Sequence, residues 1–163
     1  DFVLAVAREL KKQGVTLTID TCGYVPYERF QMLLPYVDTF LYDVKVMDLE
    51  LHKKYIGTDN SLILDNLVRL ARDGARIYIR IPTVKEVNGN EQNMRETSAI
   101  HQEYDIHPAQ GNLLPYHDTG SGKYRKLDME YKGTDLHAPE REEMEALAAL
   151  FVDAGFKNTK IGG

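Results

Sequence analysis

A single cysteine, Cys22, stands among the 163 residues. No internal disulfide can form, and a structural zinc or an iron–sulfur cluster that needs several thiolates cannot be held by this chain alone. Proline is limited to 6 residues and glycine to 12, which excludes collagen-like and low-complexity chains. No apolar run approaches the roughly 18 residues of a membrane span, and no basic-then-apolar leader opens the chain. A cytoplasmic protein without membrane contact is expected. Positive charge is also in short supply, with 20 Lys and Arg against 25 Asp and Glu for a net charge of -5. That balance argues against a general binder of phosphate backbones, and no nucleic-acid partner is expected.

What is present suits one globular domain over residues 1–163: 43% of residues are hydrophobic and 28% charged, enough to build a core. Apolar spacing predicts a helix over residues 1–13, capped by Asp1 and ended at Gly14, and then a strand over 15–20. Helices are expected over 26–34, 48–56, 61–73 and 90–104, with one more opening at Pro139. Strands are expected over 39–45, 75–81, 111–116 and 157–161, and a long glycine-rich loop over 117–136. The strands read as apolar runs, the pattern of a sheet buried on both faces. Regular alternation of helix and strand points to an α/β fold with parallel strands. About five strands fit this length, whereas a closed eight-stranded barrel takes about 250 residues. The expectation is an open sheet or an incomplete parallel (β/α) barrel.

Ligands of such folds bind at the carboxyl ends of the strands. There the sequence delivers Asp20 and Thr21, Asp43 and Lys45, Arg80, and His117. Asp43 and Lys45 are two apart on a strand and share a face, where they pair either with each other or with a ligand. Asp20 and Thr21 offer hard oxygens to a cation, or simply cap a turn. Cys22 has no neighbouring base and reads as a packing residue; His101 and His107 read as helix-surface and loop positions. No phosphate-binding glycine motif and no nucleophile elbow is visible.

Five segments, in order, resemble one family: DTCGYVP (20–26), VDTFLYDVK (37–45), HKKYIGTDN (52–60), IRIP (79–82) and LLPYH followed by GKY (113–124). Together they resemble the glycyl-radical enzyme activating enzymes of the radical S-adenosylmethionine superfamily. The resemblance implies a partial barrel and a [4Fe-4S] cluster held by a C-x-x-x-C-x-x-C loop. It further implies S-adenosylmethionine as the source of a radical that takes hydrogen from a glycine of a partner enzyme such as pyruvate formate-lyase. A flavodoxin or ferredoxin would donate the electron. By the same carry-over Asp43, Lys45, Arg80 and His117 contact S-adenosylmethionine, and Asp20, Thr21 and Asp43 surround a monovalent cation. Neither the cluster cysteines nor a G-G-E-P-like segment is in this sequence. The chain is therefore expected to be the carboxyl-terminal part of such an enzyme, inactive alone and without catalytic residues of its own. It is also expected to self-associate through an exposed strand edge. Lys85-Glu86 replaces the family's usual proline-glycine, which leaves the shape of that loop open. Two alternatives remain: a barrel aldolase with Lys45 as Schiff-base amine and Asp43 as proton shuttle, and a non-catalytic barrel that docks a protein.

Overall fold

When parallel strands follow one another across a sheet in chain order, every right-handed crossover places its helix on the same face. The computed structural model describes residues 2–162, and the expected Asp1 cap lies outside them. Its sheet has this arrangement, with β1 (Thr18–Thr21), β2 (Thr39–Asp43), β3 (Ile77–Thr83), β4 (Gln110–Pro115) and β5 (Thr159–Ile161) side by side in sequence order. All neighbours are parallel. The helices are α1 (Phe2–Lys12), α2 (Glu28–Leu33), α3 (Leu49–Ile56), α4 (Ser61–Arg72), α5 (Glu91–Glu103), α6 (Ser121–Lys126) and α7 (Arg141–Asp153). The sheet is open, an incomplete barrel as expected.

The expectation of burial on both faces needs correction. Phe40 and Tyr42 of β2, Ile77, Ile79 and Ile81 of β3, and Leu113 of β4 are buried against Leu67, Leu70, Met94, Met144 and Phe151 of the helices. The alternate residues of β2 and β3, Leu41, Asp43, Tyr78 and Arg80 among them, are only half-buried. β2 and β3 thus alternate, with helices on one side only, whereas β4 is buried on both faces from Gln110 to Leu113. Each large side chain on the covered face contributes about 1.5–3 kcal/mol of burial, which is what holds the sheet.

Several boundaries move for identifiable reasons. The Val15 N–H donates back to Leu10 O at 3.0 Å, so residues 15–17 belong to the exit of α1 and β1 starts at Thr18. The loop expected over 117–136 contains a short helix, α6. Asp48 caps α3 by accepting from the Leu51 N–H at 2.7 Å, and Gly57 ends it with φ +90°. Cys22, expected to pack, is exposed. His101 is half-buried, its ring edge-on to Phe156 and His107. No helix among the described residues is long and apolar enough to cross a membrane.

The DTCGYVP segment folds over the end of β1. The Gly23 N–H donates to the Thr21 hydroxyl at 3.0 Å, and Asn66 of α4 donates from Nδ2 to the carbonyls of Gly23 and Val25, both at 2.7 Å. Beneath Gly23 lies the fully buried Tyr42, whose hydroxyl donates to Ile63 O at 2.7 Å. A Cβ at Gly23 would come within 1.8 Å of that hydroxyl, and the residue also has φ +76°. Gly74 shares the positive φ, at +80°, but faces open space. Gly23→Ala therefore combines backbone strain with a clash and should cost about 2–5 kcal/mol, against about 1–2 kcal/mol for Gly74→Ala. Urea midpoints of the two variants measure the difference, and equal losses would refute the packing argument.

Candidate functional site

Parallel pairing sets Asp43 beside Arg80, and Asp20 beside Leu41, which is two residues before Asp43 on the same face. Asp20, Asp43 and Arg80 thus meet on the uncovered face, at the carboxyl ends of β1 and β2; Arg80, expected near the end of its strand, sits in the middle of β3, which runs on to Thr83. Arg80 Nε donates to Asp43 Oδ1 at 2.9 Å and Nη2 approaches the same oxygen at 2.8 Å. Nη2 also donates to Asp20 Oδ1. The side chains of Arg80 and Asp43 are 17% and 16% exposed, that of Asp20 63%. The Asp43–Arg80 bond is consequently shielded from solvent and the Asp20 bond is not. Burial pushes the Asp43 carboxyl above the usual carboxylate range; Arg80 and Lys45 pull it back only in part, and Asp20 adds to the push. Burial alone would weaken the Arg80 guanidinium's hold on its proton, but Asp43 and Asp20 more than compensate and raise it.

Lys45 follows β2 on the same side as Asp43 and is half-buried. Its carbonyl is fixed by Asn88, which is 2% exposed. Asn88 Nδ2 also donates to Pro82 O at 2.8 Å, and its Oδ1 accepts from the Val84 N–H at 2.7 Å. One amide thus ties the chain leaving β2 to the chain leaving β3. Lys85 and Glu86, in place of the proline-glycine expected by resemblance, fasten this turn to the start of α7. Lys85 Nζ pairs with Glu143 at 2.8 Å, and Glu86 accepts from the His137 backbone N–H at 2.9 Å and pairs with its ring at 2.7 Å. First the backbone N–H and then the ring of His137 hold the Glu86 carboxyl below its ordinary range.

His117 stands just beyond β4, exposed, with Nδ1 2.7 Å from the Thr119 hydroxyl. It opens the lobe of residues 117–136 at the same end of the sheet as Asp43, but its hydrogen bond stays within the lobe. Behind it the Tyr116 and Tyr131 hydroxyls bond to each other, which together with partial burial pushes the Tyr116 phenol up to about 12.

The structure thus brings Asp20, Asp43 and Arg80 together, sets Lys45 beside them, and leaves His117 on the neighbouring lobe. Thr21 does not join them. One step along β1 from Asp20, it points to the other face, and its hydroxyl is taken by the Gly23 N–H. No group of three or more His, Cys, Asp or Glu suited to a metal ion occurs among the described residues. The sequence reading gives no role to Asn66 and leaves the clamping by Asn88 unseen. The one available signal was an asparagine within the apolar run of α4 and another in a Val-Asn-Gly turn.

No family model matches the chain. The trans-4-hydroxy-L-proline dehydratase activating enzyme of Clostridioides difficile is 39% identical over 163 residues, covering 100% of this chain and 54% of that protein. The choline trimethylamine-lyase activating enzyme of Oleidesulfovibrio alaskensis is 40% identical over 123 residues, 74% of this chain and 40% of that one. Among solved structures, a domain of pyruvate-formate lyase-activating enzyme from Bacteroides vulgatus superposes with a TM-score of 0.84 at 27% identity, covering 99% of this chain and 90% of that domain. The chain spans about half the length of the curated relatives it matches. Its homologues are glycyl-radical enzyme activating enzymes of the radical S-adenosylmethionine type, with which it shares both sequence and fold over its full length.

Proposed function

We propose that the protein carrying this chain installs a radical on a glycine of a partner enzyme, and that these residues form the part that orients S-adenosylmethionine. The observation that carries the reading is the Asp43–Arg80 pair on the open face of the sheet, in a chain 39% identical over its full length to an activating enzyme. S-adenosylmethionine presents a carboxylate, an ammonium and a ribose diol, so its site needs acceptors and cationic donors side by side. The donor set here fits that need. Asp43 accepts from the ribose hydroxyls, Lys45 and Arg80 attract the carboxylate, and His117 closes the site from the lobe. The chemistry the cofactor supplies when bound is hydrogen-atom abstraction; the residues of this chain orient it and exclude water.

An iron–sulfur cluster does not fit these residues, because exposed Cys22 is the only thiol. In this proposal the cluster ligands come from outside the 163 residues, and a flavodoxin or ferredoxin reduces the cluster in the cytoplasm. The isolated chain is inert and binds S-adenosylmethionine weakly. It also self-associates, because β1 is an edge strand. That edge adjoins a groove of about 540 Å³ lined by Val3, Leu4, Ile19, Val25, Phe30 and Leu33, and bare edges invite pairing.

With dithionite and S-adenosylmethionine, the cluster-loaded longer protein should release 5'-deoxyadenosine, and this chain alone should release none. Asp43→Asn or Lys45→Met in the longer protein should lower cofactor affinity about 10–100-fold, as loss of a charge-assisted hydrogen bond does. Release by the isolated chain, or unchanged affinity in both variants, would overturn the reading. Borohydride with a carbonyl substrate should leave Lys45 unmodified, whereas the aldolase alternative requires trapping there.

Asn88→Ala removes partners from three main-chain groups between β2 and β3. A loss of about 2–4 kcal/mol in urea denaturation is expected, and a loss below about 1 kcal/mol would show that water replaces the amide.

A further inference from the structure

The lobe of residues 117–136 leaves the sheet at His117, at the end where Asp43 lies, and carries α6 with a turn behind it. That turn is ordered. The Leu127 N–H donates to Lys123 O at 3.1 Å and the Met129 N–H to Tyr124 O at 2.9 Å, while the Tyr124 ring sits edge-on to Tyr131. Held in this way, Leu127 and Met129 are 69% and 56% exposed, more than any other large apolar side chain among the described residues except Phe2.

The charge beside them is equally unmatched. Helices α1, α3, α4, α5 and α7 each pair a cation with a carboxylate one turn away on the same helix. By contrast α6 holds Lys123, Arg125 and Lys126 and no carboxylate, and none of the three has an ion pair among the described residues. In a chain of net charge -5, unpaired cations around bare apolar side chains have the composition of an interface whose other half is acidic.

We propose that Lys123, Arg125, Lys126, Leu127 and Met129 dock the enzyme whose glycine receives the radical, against a surface of that enzyme that sets carboxylates around an apolar recess. The inference rests on the function proposed above and adds the place where the partner is held. A glycine within a folded enzyme reaches the site only if that enzyme approaches this end of the sheet, and the lobe stands there. An anionic bilayer suits the lobe less well, because Asp118, Asp128, Glu130 and Asp135 are interleaved with the cations and the chain has no tryptophan to anchor at an interface. A second copy suits it less well too, since like net charges repel.

In the cluster-loaded longer protein, Lys123→Glu/Arg125→Glu/Lys126→Glu and, separately, Leu127→Ser are compared with the wild type. Trans-4-hydroxy-L-proline dehydratase, the enzyme in the name of the 39% identical relative, is the first probe, and choline trimethylamine-lyase the second. With dithionite and S-adenosylmethionine but no partner, 5'-deoxyadenosine release should be the same in all three proteins. Glycyl radical on the partner, counted by EPR, should form about 10-fold more slowly or worse with the triple variant and about 3–10-fold more slowly with Leu127→Ser. The wild-type rate should fall steeply between about 0.05 and 0.3 M KCl, and that of the triple variant should not. Equal rates of radical formation overturn the proposal and leave the proposed function standing, and so does a loss of partner-free release, which would put the lobe inside the cofactor site. A wild type that releases no 5'-deoxyadenosine overturns the proposed function and this inference with it; one that releases it but leaves no radical on either probe overturns the inference alone. Binding to phosphatidylserine vesicles, or self-association in sedimentation, that only the triple variant loses would assign the lobe to lipid or to a second copy and overturn it as well.

Discussion

A right-handed crossover between adjacent parallel strands deposits its helix on one side, and strands laid down in chain order repeat that choice without exception. In this molecule the constraint gives the sheet two unlike faces. One is sealed by helices and carries Phe40, Tyr42, Ile77, Ile79, Ile81 and Leu113. The other is open at β1 to β3, and along it run Asp20, Asp43 and Arg80. A sheet wound in both directions would have buried these charges under a second helical layer. One-sided winding leaves them within reach of a ligand.

The charges stay ordered because they satisfy one another. Arg80 is surrounded by enough protein to lose much of its hydration, and the loss is offset by two carboxylates. Asp43 is the more strained partner, since burial outweighs the attraction of Arg80 and Lys45 and leaves its carboxyl raised. A residue of this kind gains from an added hydrogen-bond donor, which is how a polar ligand would stabilise the site.

Beyond the strand ends the backbone no longer has a neighbouring strand to bond, and side-chain amides take over. Asn60 donates to the carbonyls of Val46 and Met47, Asn66 to those of Gly23 and Val25, and Asn88 to those of Lys45 and Pro82. Each buried amide replaces several missing ladder bonds with one rigid group. The loops that carry Lys45 and the DTCGYVP turn are thereby fixed to the helical layer, while the lobe after His117 is tied down through Glu86, His137 and the paired tyrosines.

Local pattern was enough to give the order of helices and strands apart from α6, the parallel open sheet, and the strand-end placement of Asp20, Asp43, Lys45 and His117, because hydrophobic period and punctuation by glycine and proline are local properties. Read locally, the strands are apolar runs that suggest burial on both faces, and only the fold showed that β2 and β3 are covered on one side. Tertiary structure decided the rest. It put Arg80 between two aspartates far away in sequence, turned Thr21 away from them by the one-residue alternation of β1, exposed Cys22, and gave Asn66 and Asn88 their carbonyl partners. Register between strands and the direction of a side chain depend on contacts separated by tens of residues, and no local pattern of residues records them.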